Sequence, residues 1–304
     1  MYIGNVPLLT YISYIFDACV PIYLFCSGYG LYKKENSVLE KFKNRCKRIL
    51  NLMLRFWIIM ILTCLVGFFL GMSELYPGTI INFTMNALLI KSSYVGAFWF
   101  VQTYVLLVLS FGILYKFVNE FSCKVILPVS LLLYIVAFGV EYLILPKVGS
   151  TGGLIVNAIM LYLRSQFSFI VGMIFAKEDF TSKYKLLQKI NNKVMILLIF
   201  AILILIRGWI LRHLIFAPFS AIIIILLLGN YNWTGIGKRI FLFFGRHSTN
   251  IWLVHMQFYM IFAPRLIFMS RNVFVIFLTL ISLSIISSYI IDLEYRYIKK
   301  IFRI

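Results

Sequence analysis

The 304-residue sequence is 62% apolar and only 13% charged, whereas an ordinary soluble domain carries about 25% charged residues. This composition excludes a soluble globular protein, because too few polar side chains remain to cover its surface. The formal net charge of +19 does not indicate nucleic-acid binding, since the Lys and Arg residues cluster in short segments between apolar runs. That pattern is typical of membrane topology and of contact with anionic lipids.

Apolar segments recur along the whole chain and predict an all-α fold, a polytopic membrane protein with nine transmembrane helices. Roughly 20 apolar residues cross a hydrocarbon core about 30 Å thick. A single helix over 194–229 would be too long for one crossing, so we expect a polar turn around Arg207, Arg212 and His213 to divide it. The predicted spans lie near residues 10–31, 49–71, 98–115, 125–145, 157–176, 194–211, 213–229, 241–262 and 272–292.

Basic residues predict how these spans are oriented. Residues 33–48 carry seven Lys and Arg, residues 177–193 carry five, and the tail after Asp292 carries four. Short cytoplasmic loops are enriched in Lys and Arg, so we expect these segments at the cytoplasmic face of the cell membrane. The N-terminus is then outside and the C-terminus inside. No stretch is long enough for a soluble domain, which predicts one membrane domain over residues 1–304.

A cationic stripe follows the first span. Lys41, Arg45 and Arg48 are spaced by four and three residues, so they share one helix face, and Arg55 extends that face into the membrane. One interpretation is an orientation signal. The other is a phosphate-binding surface, for which the guanidinium fork is well shaped.

Polar residues also occur within the predicted spans. Arg164 is expected about 10 Å below the outer surface, where an arginine either pairs inside the bundle or extends its side chain to the interface. In span eight, Ser248, Trp252, His255 and Tyr259 follow steps of four, three and four and form one polar and aromatic face. His255 is either a hydrogen-bonded packing residue or part of a polar cavity shared with Arg164.

Two acidic residues lie near predicted spans. Asp292 is expected at a helix end among basic residues, where charge balance explains it, and Asp17 is the better functional candidate. The five cysteines form no CxxC pair and have no metal-like spacing, so neither a metal site nor a redox motif is expected.

Four short motifs, taken in order, resemble the membrane acyltransferase 3 family, which includes the O-acetyltransferases of surface polysaccharides. The resemblance runs over nearly the whole chain, and its most specific elements are Ser-Gly-Tyr, Trp-Phe and Ser-x-x-x-Trp-Leu-x-His. The motifs are residues 21–29 (PIYLFCSGY), 43–48 (KNRCKR), 98–101 (FWFV) and 245–255 (GRHSTNIWLVH).

The resemblance implies transfer of an acyl group, most simply acetyl, from cytosolic acetyl-CoA to a hydroxyl of a polysaccharide or lipid-linked glycan at the outer side. Lys41, Arg45 and Arg48 would then bind the coenzyme A phosphates, with no metal cofactor. The residues implied at the acceptor side or along the acyl path are Ser27, Tyr29, Trp99, Gln102, Arg164, Ser248, Trp252 and His255.

The chain departs from the family pattern at its start. The family usually opens with an additional helix that carries a histidine general base, and none of His213, His247 and His255 corresponds to it. The resemblance therefore implies either an N-terminally truncated and inactive chain, or one in which His255 substitutes as the base.

Two other functions are compatible with the same features. A transporter or flippase of a lipid-linked glycan would use Arg164 and the span-eight face to bind its substrate without chemistry. A polysaccharide polymerase usually has a large external loop, and the longest one expected here is only residues 72–97.

Overall fold

The computed structural model describes residues 2–3, 6–34, 38–144, 150–180, 192–229, 231 and 233–302. Helices make up nearly all of this structure, which confirms the predicted all-α fold. Strands β1 (Tyr2–Ile3) and β2 (Val6–Pro7) form a minimal antiparallel pair before the first helix.

The described helices follow the predicted spans in order, with two short additions. Short 3₁₀ segments cover Tyr14–Ala18, Gly96–Phe98 and Leu214–Phe216, and a π-helical turn covers Phe258–Phe262. The α-helices are α1 (Leu8–Ser13), α2 (Cys19–Lys33), α3 (Val38–Phe69), α4 (Ile80–Ala87), α5 (Trp99–Glu120), α6 (Cys123–Leu143), α7 (Ser150–Lys177), α8 (Lys193–Trp209), α9 (Ala217–Gly229), α10 (Gly235–Gln257), α11 (Pro264–Phe268) and α12 (Val273–Phe302).

Within the described residues, six helical segments are long and apolar enough to cross a membrane. The helices α8 and α9 are shorter apolar segments separated by a turn, as predicted for residues 194–229. Helix α10 is not among the six, because polar residues interrupt its apolar sequence. The count of nine crossings and their orientation therefore stay predictions. The six segments are Leu8–Lys33, Phe42–Phe69, Gly96–Glu120, Cys123–Leu143, Gly153–Lys177 and Val273–Phe302.

The chain forms two compact units. Unit 1 comprises Met1–Lys41 and Leu109–Trp233, and unit 2 comprises Phe42–Val108 and Thr234–Ile304. Helix α5 supplies its first ten residues to unit 2 and the rest to unit 1. The expectation of a single membrane domain over residues 1–304 stays a prediction.

In unit 1, two glycines let α2 and α7 approach closely. A Cβ atom at Gly28 would lie 2.1 Å from the carbonyl oxygen of Phe169, and one at Gly172 would lie 2.1 Å from that of Phe25. Helices inside membranes commonly use small residues for such close backbone contact. The ring of Phe25 then packs in an apolar cluster with Tyr134.

A buried arginine joins α8 to the first helical segment of unit 1. The Arg207 side chain is 1% exposed, and its Nη2 donates to the carbonyl oxygen of Tyr14 (2.9 Å) and to Asp17 Oδ2 (3.0 Å). Its Nη1 donates to the carbonyl oxygens of Leu211 and His213. Arg207 therefore lies inside the unit rather than in the polar turn where it was expected, and Asp17 is its counter-ion.

Unit 2 has an apolar core between α3, α5, α10 and the segment that joins α3 to α5. The Phe56 and Phe98 rings pack edge to face, with centroids 4.9 Å apart. In the connecting segment, Tyr76 Oη donates to the carbonyl oxygen of Tyr94 (3.0 Å), and Tyr94 Oη donates to that of Pro77 (2.5 Å). This segment is thus a folded part of unit 2.

Candidate active site

The cationic stripe lies on the first half of α3. Arg45 is half-buried, with its guanidinium 5.7 Å from the centre of the Phe42 ring. Arg48 Nε donates to Tyr104 Oη at 2.5 Å, so this arginine is fixed against α5. The side chain of Lys41 lies outside the described residues. The sequence correctly predicted a helix through these positions, but not the tyrosine that accepts from Arg48.

A chain of aromatic rings leads from Arg48 to α10. The Tyr104 and Phe100 ring centroids are 6.0 Å apart, and those of Phe100 and Trp252 are 5.0 Å apart. Trp99 packs against Phe100 at 5.8 Å. The Trp-Phe motif and the span-eight motif therefore meet in unit 2, and they connect to the cationic stripe through Tyr104.

Hydrogen bonding fixes the tautomer of His255. Its Nδ1 lies 2.7 Å from the carbonyl oxygen of Trp252 and 3.2 Å from that of Ile251. A carbonyl oxygen only accepts, so Nδ1 carries the proton, and in the neutral ring the lone pair is on Nε2. Half-buried His255 therefore presents a proton acceptor that is held in one orientation.

The rest of the span-eight face has simpler surroundings. Ser248 Oγ donates to the carbonyl oxygen of Gly245 (2.9 Å) and is half-buried, as is Gln102 on α5. The helix changes to a π-helical turn directly after Gln257, and Tyr259 within that turn lies 6.0 Å from the His255 ring. π-helical turns often occur at functional sites.

A second polar cluster in unit 2 was not predicted. Arg55 Nη1 donates to Asp292 Oδ1 and, at 3.2 Å, to Asn250 Oδ1. Asn250 Nδ2 also donates to Asp292 (3.1 Å) and to Ser288 Oγ (3.0 Å). His247 Nδ1 is 2.8 Å from Ser288 Oγ. Arg55, His247, Asn250, Ser288 and Asp292 form what we call the Arg55 cluster.

The position of Asp292 explains why this cluster was missed. Asp292 was expected at a helix end, but α12 continues to Phe302, so the carboxylate lies within the helix. Ser288, Asp292 and Tyr295 follow steps of four and three, a polar face that a periodicity search along this span would have found. Tyr295 packs beside the cluster: its ring centre lies 4.2 Å from the Arg55 guanidinium, and its Oη donates to Asn51 Oδ1 (2.8 Å).

The remaining predicted site residues lie in unit 1. Arg164 pairs with Glu141 at 2.5 Å, and its guanidinium is 4.9 Å from the centre of the Phe138 ring. The helix α7 begins at Ser150, seven residues before the predicted span start at 157. Arg164 therefore lies about 21 Å from the start of the helix at 1.5 Å per residue, rather than the roughly 10 Å counted from the predicted span. Ser27 is buried and Tyr29 is half-buried on α2. A cavity shared by Arg164 and His255 stays a prediction.

The six helices that are long and apolar enough to cross a membrane define a multi-pass membrane protein. A sequence model of the acyltransferase 3 family, described as an acyltransferase domain, matches residues 2–293. The chain therefore belongs to that family and is a membrane acyltransferase, as the motifs predicted. No curated protein and no solved structure matches it.

Proposed function

We propose that this acyltransferase moves an acetyl group from cytosolic acetyl-CoA to a hydroxyl of a cell-surface or exported polysaccharide. The observation that carries the proposal is the fixed tautomer of His255, whose Nε2 is the proton acceptor that acyl transfer to a hydroxyl requires. The aromatic chain from Trp252 to Arg48 supports it, because it connects the helix that carries this histidine to the cationic stripe.

The donor end of the site is the cationic stripe. Arg45 and Arg48 carry guanidinium groups suited to bidentate phosphate binding, and Lys41 adds a third positive charge on the same helix face. Their proposed position at the cytoplasmic face follows from the distribution of basic residues. Cytosolic acetyl-CoA would reach them there.

At the reacting end, His255 Nε2 takes the proton of the acceptor hydroxyl as the hydroxyl oxygen bonds to the acyl carbon. The carbon–sulfur bond of the thioester breaks, and the leaving sulfur takes up the proton that His255 accepted, so coenzyme A leaves as the thiol and the neutral imidazole is restored. A positioned base of this kind contributes a factor of about 10² to 10⁴ in rate.

The acceptor glycan would contact groups around His255. Trp99 and Trp252 provide aromatic faces, and Gln102 and Ser248 provide hydrogen-bonding groups. Ser27, Tyr29 and Arg164, which lie in unit 1, stay acceptor-side candidates implied by the family resemblance alone.

The test is transfer of labelled acetyl from acetyl-CoA to surface polysaccharide in membranes that contain the chain. His255→Asn removes the base, so we expect the rate to fall by about 10² to 10⁴. The matched control is His213→Asn. His213 Nδ1 accepts a hydrogen bond from the Ile215 amide at the start of a 3₁₀ segment, and asparagine fills that capping role.

The two arginines give an independent arm of the same assay. Arg45→Gln together with Arg48→Gln should abolish transfer while the protein still inserts into the membrane. Equal transfer by wild type and the His255 variant would remove His255 from the mechanism. No labelled product from inserted wild type, combined with normal glycan movement in the arginine variant, would favour the glycan transporter.

A further inference from the structure

The Arg55 cluster lies beyond the cationic stripe on the same helix. Arg55 follows Arg48 by seven residues, almost two full turns, so both side chains leave α3 on nearly the same face. At 1.5 Å per residue the two positions are about 10.5 Å apart along the axis. A ligand that extends from Arg48 along this face therefore reaches Arg55.

Arg55 is only partly satisfied by the protein. Its Nη1 donates to Asp292 and Asn250, and the Tyr295 ring centre lies 4.2 Å from the guanidinium carbon. Across the part of the chain that the structure describes, Nε and Nη2 have no hydrogen-bond partner. The one buried side-chain nitrogen or oxygen without a partner in that part is Arg207 Nε, so the two Arg55 nitrogens are accessible.

An arginine in a membrane segment whose N–H groups lack hydrogen-bond acceptors raises the free energy of the folded protein, unless a ligand or water accepts from those groups. The side chain of Arg55 is 27% exposed and that of Asp292 is 22% exposed, so the cluster is open to a ligand. The fork is also held in place, because Nη1 is bonded to Asp292 and Asn250 and the Tyr295 ring packs against the guanidinium. It is therefore a prepared hydrogen-bond donor rather than a mobile charge.

Charge decides what kind of ligand fits. Asp292 neutralises Arg55, and His247 Nδ1 lies 3.7 Å from the same carboxylate. A phosphate here would meet the Asp292 carboxylate, whereas an uncharged carbonyl oxygen can accept from Nε and Nη2 without repulsion. The cluster is therefore suited to an uncharged acceptor rather than to a phosphate.

We propose that Arg55 binds the uncharged, amide-containing arm of the acyl donor, between the phosphates held by Arg45 and Arg48 and the thioester. This proposal rests on the proposed function, because it takes acetyl-CoA as the donor. It assigns Asp292 as the positioning residue that orients the Arg55 fork and removes its net charge.

The experiment measures dissociation constants of coenzyme A and of pantetheine, which has the amide arm but lacks the nucleotide phosphates, by calorimetry on protein in nanodiscs. Arg55→Lys keeps the charge and the pair with Asp292 but loses the planar fork. We expect it to raise the dissociation constants of both ligands by a similar factor, about tenfold for loss of one to two hydrogen bonds. Arg45→Gln with Arg48→Gln should weaken the binding of coenzyme A but not that of pantetheine. The control Lys300→Gln removes an exposed charge from α12 and should change neither.

Weaker coenzyme A binding by Arg55→Lys with unchanged pantetheine binding would overturn the proposal and make Arg55 another phosphate ligand. No change for either ligand would leave Arg55 a structural clamp. Wild type that binds neither ligand would overturn the acetyl-CoA donor itself, which separates the two failures.

A second variant should bind an anionic ligand more tightly than wild type, a result that a misfolded protein cannot give. Asp292→Asn leaves the Arg55 charge uncompensated, so inorganic pyrophosphate should bind several-fold more tightly than to wild type. Unchanged pyrophosphate binding would overturn the positioning role of Asp292.

Discussion

Replacing Arg207 tests whether one buried arginine holds the first helical segment of unit 1 against α8. Arg207→Met has a similar length and no charge, and it removes the four hydrogen bonds to Tyr14, Asp17, Leu211 and His213. Three of these acceptors are backbone carbonyl oxygens from two separate parts of the unit. We therefore expect a large loss of stability.

The magnitude follows from burial. Each of the four lost hydrogen bonds contributes about 1 kcal/mol, with more expected for bonds from a charged group, so the loss is about 3 to 5 kcal/mol for an arginine side chain that is 1% exposed. At roughly 2 to 4 °C per kcal/mol for a chain of this size, the apparent Tm should fall by roughly 6 to 20 °C. Asp17→Asn should cost less, about 1 to 2 kcal/mol, because Asp17 is 35% exposed and the carbonyl oxygens still accept from Arg207.

The assay is thermal unfolding of purified protein in detergent at a fixed scan rate, since such unfolding is often irreversible. Arg212→Met is the matched control. Arg212 is exposed, donates from Nε to the carbonyl oxygen of Gly208 (2.8 Å), and lies 4.8 Å from the Tyr11 ring, so it should lose at most about 1 kcal/mol. The reasoning is refuted if Arg207→Met lowers the apparent Tm no more than Arg212→Met.

Two further predictions concern packing and pH. Gly172→Ala should destabilise the protein by about 1 to 3 kcal/mol, because the new Cβ would meet the Phe25 carbonyl oxygen. A Cβ at Gly30 has nothing within 4 Å, so Gly30→Ala should be neutral or stabilising. Thermal unfolding of both variants tests this, and equal shifts in Tm would contradict the close contact. Burial raises the pKa of Tyr94 from 10 to about 12. Between these pH values the folded chain keeps a proton that the unfolded chain loses. The free energy of unfolding should therefore fall as the pH rises, by up to about 1.4 kcal/mol per pH unit. Thermal unfolding from pH 9 to 11.5 should show a shallower decline in Tyr94→Phe, and parallel curves would contradict the assignment.

Local patterns predicted much of the fold and part of the site. The apolar segments, the break in residues 194–229 and the cationic stripe depend on residues within a few turns of one another, which helix geometry places directly. The face of Ser248, Trp252 and His255 was predictable for the same reason. Each of these patterns is complete within one segment of the chain.

Contacts between distant segments were not predictable from such patterns. Arg55 and Asp292 are 237 residues apart; the sequence predicted Arg55 as an extension of the cationic face into the membrane and Asp292 as a helix-end charge, and neither pattern indicated that the two side chains pair. Asp17 likewise appeared to be a functional acid, because its partner Arg207 lies 190 residues away. The sequence shows which charges are near the membrane, but only the packing shows which of them neutralise each other.

The glycine contact between α2 and α7 has a consequence for how the two positions vary. Each glycine accommodates the carbonyl oxygen of the residue three places before the other glycine, Phe169 for Gly28 and Phe25 for Gly172. A larger side chain at either position forces the backbones apart and so opens both contacts at once. A second substitution then finds the close contact already lost. The loss of stability in the double variant should therefore be much smaller than the sum of the losses in the two single variants. Gly28 and Gly172 therefore act as a single constraint on the chain, lost or kept together.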